Sequence, residues 1–213
     1  MLAVHQPDKP DIKMITEAGL IGKIGFNSAG VGVCLNAIRA KGMDLTRLPC
    51  HLGLRMVLES TSREDAIRKL ERYGIASSCH MLVADPSGAT GLEWSSIDLQ
   101  KLPMDADRRV YHTNHYLLEH PGVVDTLWLP DSIDREKRIK QLCTALANAP
   151  PTVESIQRLF TDENNYPAAI CRAQEGNSTA ASLFNIIMEL KGKAARVTLG
   201  RPTEPEESLL LAF

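Results

Sequence analysis

The sequence predicts an α+β protein in which helices cover stacked antiparallel sheets. Two observations carry this prediction. Segments with strand-like patterns occur in groups, and pairs of segments with helical spacing separate the groups. Doubly wound parallel folds alternate strands and helices strictly, so the grouping argues against them and favours antiparallel sheets.

The first group of strands forms a predicted three-stranded antiparallel meander over residues 12–16, 21–26 and 31–38, with turns at 17–19 and 27–30. Residues 1–11 precede it as an edge strand or an arm. Glycine inside a strand marks a bulge or a place where a backbone or a ligand comes close. The glycines of the meander therefore indicate either tight structural packing or a neighbouring site: Gly22, Gly25, Gly30 and Gly32.

Two helices are predicted next, at residues 48–58 and 63–73. In the first helix, Leu52 and Met56 have the spacing of an apolar face. Ser62 with Asp65, or Thr61 with Glu64, fits a capping box, and Gly74 ends the second helix. The remaining predicted strands are 77–84, 90–95, 97–102, 109–113, 168–172, 182–190, 194–199 and 209–213, and the remaining helices are 133–147 and 153–160.

Composition limits the class of protein. With 213 residues, 44% hydrophobic and 23% charged, the chain is sized for one globular domain. A net charge of -2 gives no electrostatic reason to expect nucleic acid or an anionic membrane as partner. No apolar run approaches the roughly 20 residues of a membrane helix, and no signal peptide is evident. We expect a soluble intracellular protein.

The five cysteines are widely spaced and never form a CxxC pair. Their odd number and spacing argue against a disulfide framework and against a zinc site. We expect most of them to be reduced and to pack as small hydrophobic residues. They are Cys34, Cys50, Cys79, Cys143 and Cys171.

The most polar cluster at the end of a predicted strand is His112-Thr113-Asn114-His115. A pair of histidines three apart resembles a metal motif, but residues three apart on a strand point to opposite faces, and no third ligand is near. We therefore predict no metal. From the pattern alone, Asn114 either ends a strand or belongs to a functional site.

One long string from the meander and five shorter strings downstream resemble a known family. The sequence ITEAGLIGKIGFNSAGVGVCLNA, followed in order by HTNHYLLEH, LPDSIDREKR, ENNYPAAICR, SLFNII and LGRPTEPEE, resembles the acyl-coenzyme A:6-aminopenicillanic acid acyltransferase family of filamentous fungi. This family is part of the N-terminal nucleophile hydrolase superfamily. The resemblance runs from about Ile12 to the C-terminus, and it implies a four-layer αββα sandwich.

The resemblance also implies roles for individual residues. Asn114 matches the asparagine whose side-chain amide donates to the oxyanion of the tetrahedral intermediate. Ser95 and Ser178 match polar positions near the substrate pocket. Thr179 stands where penicillin-forming members carry an arginine, and the loss of that cation would weaken recognition of a carboxylate or alter the environment of the nucleophile.

The nucleophile is the largest departure from the family pattern. The superfamily uses a chain-terminal Cys, Ser or Thr whose own α-amino group acts as base. Met1 has a thioether and cannot serve. The family places its cysteine upstream of the position equivalent to Ile12, so we expect this chain to be an N-terminally truncated single domain that lacks its first strands and its nucleophile.

The expected reaction is acyl transfer between an amide or acyl-CoA and an amine, with no cofactor. The alternatives are an amidohydrolase of the penicillin V or bile-salt amidase type, and a shortened paralogue without activity. Expected partners are the small-molecule substrate and either a separate N-terminal segment or a second copy of the chain in a homodimer, since an unpaired sheet edge favours dimerisation. Because the chain stops at Leu211-Ala212-Phe213, without a peroxisomal tripeptide, we expect a cytoplasmic location.

Overall fold

The computed structural model describes residues 1–146, 150–176 and 178–213, which fold into two units. The larger unit contains Met1–Leu129, Leu190–Lys193 and Phe213, and the smaller unit contains Pro130–Glu189 and Ala194–Ala212. Each unit has an antiparallel sheet and two helices. The two units are therefore described one at a time.

The larger unit is built on a seven-stranded antiparallel sheet in which the strands pair in chain order. Antiparallel neighbours need only short connections, so a chain that turns back on itself repeatedly gives this order. The edge strand β1 comes from the N-terminal residues, as one of the two sequence interpretations predicts. The strands are β1 (Leu2–Val4), β2 (Ile12–Ile15), β3 (Ile24–Asn27), β4 (Gly32–Ala37), β5 (Cys79–Asp85), β6 (Gly88–Trp94) and β7 (Leu99–Pro103).

The predicted meander is confirmed as β2, β3 and β4, and Gly25 shows why glycine is needed in it. Gly25 of β3 pairs with Met14 of β2. A Cβ atom at position 25 would lie 2.3 Å from the carbonyl oxygen of Lys13. The two backbones can approach this closely because glycine has no side chain.

Helix α1 (Cys50–Leu58) confirms the predicted element but corrects its apolar face. Leu52 is 40% exposed, whereas Leu54, Val57 and Leu58 are fully buried. Both sets of residues have helical spacing, so the pattern alone allows either face to pack. Packing in the core buries Leu54, Val57 and Leu58.

Helix α2 (Arg63–Tyr73) agrees with the prediction at both ends. The hydroxyl of Ser62 accepts from the backbone N–H of Asp65 at 3.1 Å, as an N-cap requires. Gly74 ends the helix with φ of 65°, a conformation that side chains disfavour.

The core of the larger unit forms between the sheet and these two helices. Its apolar side chains are removed from water, which is the main favourable term in folding. Members of the core include Ile12, Met14, Val31, Val33, Leu54, Val57, Leu58, Leu70, Ile75, Met81, Val83 and Leu92.

The smaller unit has a three-stranded antiparallel sheet, in which β9 (Ala194–Arg201) lies between β10 (Glu204–Ala212) and β8 (Phe184–Glu189). Thr152 and Ser155 form a reciprocal capping box that begins its second helix: the Thr152 hydroxyl accepts from the Ser155 N–H at 3.1 Å, and the Ser155 hydroxyl accepts from the Thr152 N–H at 2.9 Å. The end of the helix predicted at 133–147 lies outside the described residues. The elements are α3 (Ser132–Ala145), α4 (Val153–Leu159), β8 (Phe184–Glu189), β9 (Ala194–Arg201) and β10 (Glu204–Ala212).

Two predicted strands, 109–113 and 168–172, are wrong. Near the first, the backbone closes a local turn in which the Asp105 N–H donates to the Arg109 carbonyl. In the second, Ala168 donates to the Asn165 carbonyl within a local turn. Short apolar runs match the strand pattern, but here turns and side chains satisfy their backbone groups.

The four described helices are short. The longest of them, α3, has 14 residues, while a bilayer crossing takes about 20. Over residues 1–146, 150–176 and 178–213, no helix has both the length and the apolar character that a membrane span requires.

Candidate active site

Asn114 lies in an irregular segment, residues 112–120, within the larger unit. Its side-chain amide nitrogen Nδ2 donates to the carbonyl oxygen of Ala37, the last residue of β4, at 3.0 Å. An amide nitrogen carries two N–H bonds. The bond to Ala37 fixes the plane of the amide at the end of a strand, where it is half-buried.

A buried carboxylate ties segment 112–120 to the sheet. Glu93 of β6 is fully buried. Its Oε1 lies 2.7 Å from Nε2 of His112 and accepts from the N–H of Leu117 at 2.7 Å. Its Oε2 accepts from the N–H of Leu118 at 3.0 Å and lies 3.2 Å from Nε2 of His120. The segment is therefore bonded to one side chain on both sides of the asparagine.

These contacts keep Glu93 ionised. Burial by itself would raise its pKa, but hydrogen bonds from His112 and from the backbone of Leu117 and Leu118, with the attraction of His112, place the pKa of Glu93 below its ordinary value. Hydrogen bonds to the charged form stabilise it. Glu93 is a carboxylate at neutral pH.

The imidazole ring of His112, the first residue of the segment, stacks on the ring of His80 in β5. The rings of His80 and His112 are 3.6 Å apart between centroids and 6° from parallel. Nδ1 of His80 lies 3.0 Å from the amide oxygen Oδ1 of Asn36. Burial, and then the nearby charge of His112, holds the pKa of His80 well below its ordinary value, so this ring is neutral.

Ser95 is fully buried in the tight turn after β6. Its hydroxyl accepts from the backbone N–H groups of Ile97 at 3.2 Å and Asp98 at 2.9 Å, and it donates to the carboxylate of Asp98. Asp98 Oδ1 lies 2.7 Å from Nδ1 of His120. Ser95 and Glu93 are therefore connected through Asp98 and His120, and the Ser95 hydroxyl is used by the turn.

A second set of bonds holds the chain on the C-terminal side of the asparagine. The phenol of Tyr116 donates to the carbonyl oxygen of Trp94 at 2.8 Å, and burial raises the pKa of Tyr116 to about 12. The hydroxyl of Thr126 donates to the carbonyl oxygen of Arg39 at 2.7 Å. The chain after Asn114 is thus bonded to the last residue of β6 and to Arg39, two residues beyond the end of β4.

Ser178 and Thr179 belong to the smaller unit, whereas Asn114 and Ser95 belong to the larger unit. The Ser178 hydroxyl donates to the Ala180 carbonyl at 3.1 Å. Thr179 is exposed. The roles predicted for these serines and for Thr179 stay predictions.

The guanidinium of Arg172 lies close to Ser178 in the smaller unit. Its Nη1 pairs with Oδ2 of Asp131 at 2.6 Å, and its Nη2 lies 3.5 Å from the Ser178 hydroxyl. Asp131 also accepts from Nε of Arg135 at 2.7 Å. The charge of Arg172 is therefore shared with a carboxylate of its own unit.

The cysteines are all free. Cys34 lies within β4, where desolvation raises the pKa of its thiol to about 11. A thiol with a high pKa is a poor nucleophile at neutral pH. Over the described ranges, no group of three His, Cys, Asp or Glu side chains is arranged to hold a metal ion.

Sequence reasoning missed Glu93 as a functional residue. A signal was present, because Glu93 is a charged residue inside the apolar run of β6, between Leu92 and Trp94. Charged residues in such runs are rarely buried unless they are paired. The partners of Glu93 lie 19 to 27 positions away along the chain, so spacing did not reveal them.

The family profile described as "Acyl-coenzyme A:6-aminopenicillanic acid acyl-transferase" matches residues 2–204. The chain belongs to this acyltransferase family. The resemblance drawn from the sequence is thereby confirmed. Asn114 and Glu93 both lie within the matched range.

One relative in the acyltransferase family is the 40 kDa form of acyl-coenzyme A:6-aminopenicillanic-acid-acyltransferase from Emericella nidulans. It is 46% identical over 215 residues. The match includes 100% of this chain and 59% of the relative. The chain therefore spans somewhat more than half the length of this relative.

Solved structures of more distant proteins share the fold. Penicillin V acylase from Agrobacterium tumefaciens has a TM-score of 0.68 at 16% identity, over 96% of this chain and 70% of that one. The Caenorhabditis elegans ortholog of N-acylethanolamine-hydrolyzing acid amidase has a TM-score of 0.59 at 16% identity, over 99% and 86% of the two chains. These likenesses confirm the predicted α+β class and the N-terminal nucleophile hydrolase fold.

Proposed function

We propose that this chain is the part of a cysteine-dependent acyltransferase that carries the oxyanion-stabilising asparagine, Asn114. The reaction transfers an acyl group between an amide or an acyl-CoA and an amine through a cysteine acyl-enzyme. The cysteine lies outside residues 1–213 in this proposal. Family membership supports the reaction class, and coverage of 59% of the relative is consistent with a further segment.

The held amide of Asn114 is the observation that carries the proposal. A tetrahedral intermediate places negative charge on the former carbonyl oxygen, and a fixed neutral donor stabilises it without a proton transfer. The bond to Ala37 fixes the amide, and the bonds to Glu93 fix the segment around it. Such preorganisation makes an oxyanion donor effective.

Substrate choice is the finer part of the proposal. The relative from Emericella nidulans is named for acyl-coenzyme A and 6-aminopenicillanic acid, and an acyl-CoA is the donor we propose here. The acceptor is an amine that contacts Ser178 and Thr179. Since threonine has no charge, we propose weaker recognition of an acceptor carboxylate than an arginine would give.

The test uses the full-length protein, with any upstream segment that its gene encodes, supplied with an acyl-CoA and 6-aminopenicillanic acid. We expect release of free CoA together with the amide product. Asn114→Ala should lower kcat by about 10² to 10³, the usual effect of removing one oxyanion donor. Asn164→Ala, at an exposed asparagine of the smaller unit, is the matched control and should leave kcat unchanged.

Several results would overturn the proposal or part of it. Hydrolysis without transfer to any amine would favour an amidohydrolase. Absence of all turnover by a correctly folded full-length protein would favour a paralogue without activity. Turnover by residues 1–213 alone, abolished by Asn114→Ala, would show that the nucleophile lies within this chain.

The Thr179 position gives a further test. Thr179→Arg restores the cation that penicillin-forming members carry, so it should lower the KM for 6-aminopenicillanic acid. Thr179→Gln, which adds length without charge, is the control. The cytoplasmic location, the single domain and the homodimer stay predictions, and fluorescence microscopy, limited proteolysis and light scattering would check them.

A further inference from the structure

We propose that Glu93 is a positioning residue, which sets the place of Asn114 by binding two doubly protonated histidines, His112 and His120, on either side of it. The inference rests on the proposed function, because the role of Asn114 does. The charge states of the two histidines are nevertheless measurable without any catalytic assay, so the two proposals fail separately.

The contacts of His112 require protons on both ring nitrogens. Nδ1 lies 2.8 Å from the carbonyl oxygen of Thr113, and Nε2 lies 2.7 Å from Oε1 of Glu93. A carbonyl oxygen and a carboxylate oxygen only accept hydrogen bonds, and a neutral imidazole has one N–H donor. An imidazolium satisfies both contacts.

The same count of ring N–H donors against neighbouring acceptors applies to His120. Its Nδ1 lies 2.7 Å from Oδ1 of Asp98, and its Nε2 lies 3.2 Å from Oε2 of Glu93. Both partners are carboxylate oxygens. A neutral ring would leave a nitrogen lone pair facing a carboxylate, which is repulsive, so His120 is also an imidazolium.

The charges of the cluster then balance. Glu93 and Asp98 supply two negative charges, and His112 and His120 supply two positive charges. Burial opposes ionisation of both acids, yet hydrogen bonds from their partners hold the pKa of each below its ordinary value, so neither acid keeps the proton. Buried charges are tolerated when they are paired and hydrogen-bonded in this way.

The third imidazole ring of the cluster, His80, is neutral. Its pKa is well below the ordinary value because of burial and the charge of His112. Its Nε2 is buried and has no hydrogen-bond partner among the described residues. A neutral ring stacked face to face at 3.6 Å avoids placing a third positive charge in the cluster.

The consequence for catalysis follows from chain order. The bonds to Glu93 come from residue 112 on one side of Asn114 and from residues 117, 118 and 120 on the other. Both ends of the short connection that carries the amide are thus tied to one buried side chain. A displacement of about 1 Å at a catalytic group can cost on the order of 10²-fold in rate.

The direct test is ¹⁵N–¹H nuclear magnetic resonance of the histidine side chains at pH 8. A doubly protonated ring shows two nitrogens of similar shift, while a neutral ring shows two widely separated ones. We expect the imidazolium pattern for His112 and His120 in the folded protein, because each ring has an acceptor at both nitrogens, and loss of that pattern in urea, where these contacts are broken. A neutral His112 or His120 in the folded protein would overturn the proposal.

Glu93→Gln supplies the second test, since glutamine keeps the size but removes the charge. We expect loss of the imidazolium pattern at His112 or His120, faster amide exchange at Leu117 and Leu118, and shifted side-chain amide signals for Asn114. Glu71→Gln is the matched control, because Glu71 forms an exposed ion pair with Lys101. Unchanged Asn114 signals in folded Glu93→Gln would refute the positioning role. If that variant does not fold, the spectrum of the unmodified protein still decides.

Kinetics separates positioning from structural support. In the full-length enzyme, Glu93→Gln should lower kcat by about 10²-fold with little change in KM. In the Asn114→Ala background it should add little, because the donor whose position it controls is already absent. If the losses in kcat caused by Glu93→Gln and Asn114→Ala multiply fully in the double variant, the two residues are not coupled and the positioning role is contradicted.

Discussion

Asn114, Ser178 and Thr179 were expected near the substrate, and the structure holds the two segments that contain them in different ways. Segment 112–120 of the larger unit is bonded to a fully buried carboxylate, Glu93. The segment around Ser178 and Thr179 in the smaller unit makes bonds to close neighbours along the chain, and Thr179 is exposed. The first segment depends on a long-range buried charge, and the second on local contacts.

This difference predicts how strongly a substitution in each segment changes the stability of the protein. Removing one partner from a buried charged cluster leaves the others unpaired in a medium of low dielectric. Changing an exposed residue with local bonds leaves groups that water can satisfy. Variants of the two segments should therefore differ greatly in stability even where both contact substrate.

The largest effect is expected for Glu93→Ala. It removes the acceptor of two histidine rings and two backbone N–H groups, so the larger unit should lose about 3–5 kcal/mol of unfolding free energy. Urea denaturation followed by tryptophan fluorescence measures it, because Trp94 and Trp128 both lie in the larger unit. Glu71→Ala should cost about 0–1 kcal/mol, the range for an exposed ion pair. Equal losses of unfolding free energy for Glu93→Ala and Glu71→Ala would show that the buried charge of Glu93 contributes no more to stability than an exposed ion pair.

Acid should produce a smaller loss in the same unit, because protonation neutralises Glu93 without removing its side chain. The folded-state pKa values of Glu93 and Asp98 lie below the ordinary 4.5 and 3.8. Their stabilisation is complete above those ordinary values and is lost as pH falls through the lower folded values. Tryptophan fluorescence should report weakening of the larger unit below about pH 4.5. In Glu93→Gln this acid transition should be reduced; an unaltered transition would exclude Glu93 as its source.

Helix caps provide an intermediate effect in both units. Ser62→Ala removes the acceptor for the Asp65 N–H in α2, and Thr152→Ala removes the acceptor for the Ser155 N–H in α4. Each should cost about 0.5–2 kcal/mol. Hydrogen exchange should show faster exchange confined to the first turn of the affected helix. Loss of protection throughout segment 112–120 in Ser62→Ala would mean that the cap and the segment are coupled.

The smallest effect is expected for Thr179→Ala. Thr179 is exposed, and surface substitutions usually change stability by less than about 0.5 kcal/mol. Thermal unfolding of the variant should match that of the parent protein. A loss of unfolding free energy of about 1 kcal/mol or more would show that the segment around Ser178 and Thr179 also has a structural role.

Much of the fold was predictable because it follows from local patterns. Helix α2 begins and ends where Ser62 and Gly74 indicate, and glycine positions marked the close strands of the meander. The wrong face of α1 and the two absent strands share one cause. An apolar pattern shows that residues can be buried, while the packing partners decide which of them are.

The candidate site was predicted in part. Asn114 came from the resemblance, which reads residues in order along the chain. Glu93 did not, because its contacts are with His112, Leu117, Leu118 and His120, which lie 19 to 27 positions further along the chain.

The amino-acid order by itself determined the α+β class, most of the strand and helix succession and the family, because each is encoded in short-range periodicity or in motif order. Tertiary structure alone decided that Glu93 is buried beneath the asparagine segment and that two histidines lie against acceptors on both ring nitrogens. The physical reason is that charge and protonation depend on distances of about 3 Å between atoms. Residues far apart in the chain acquire such distances only when the sheet forms.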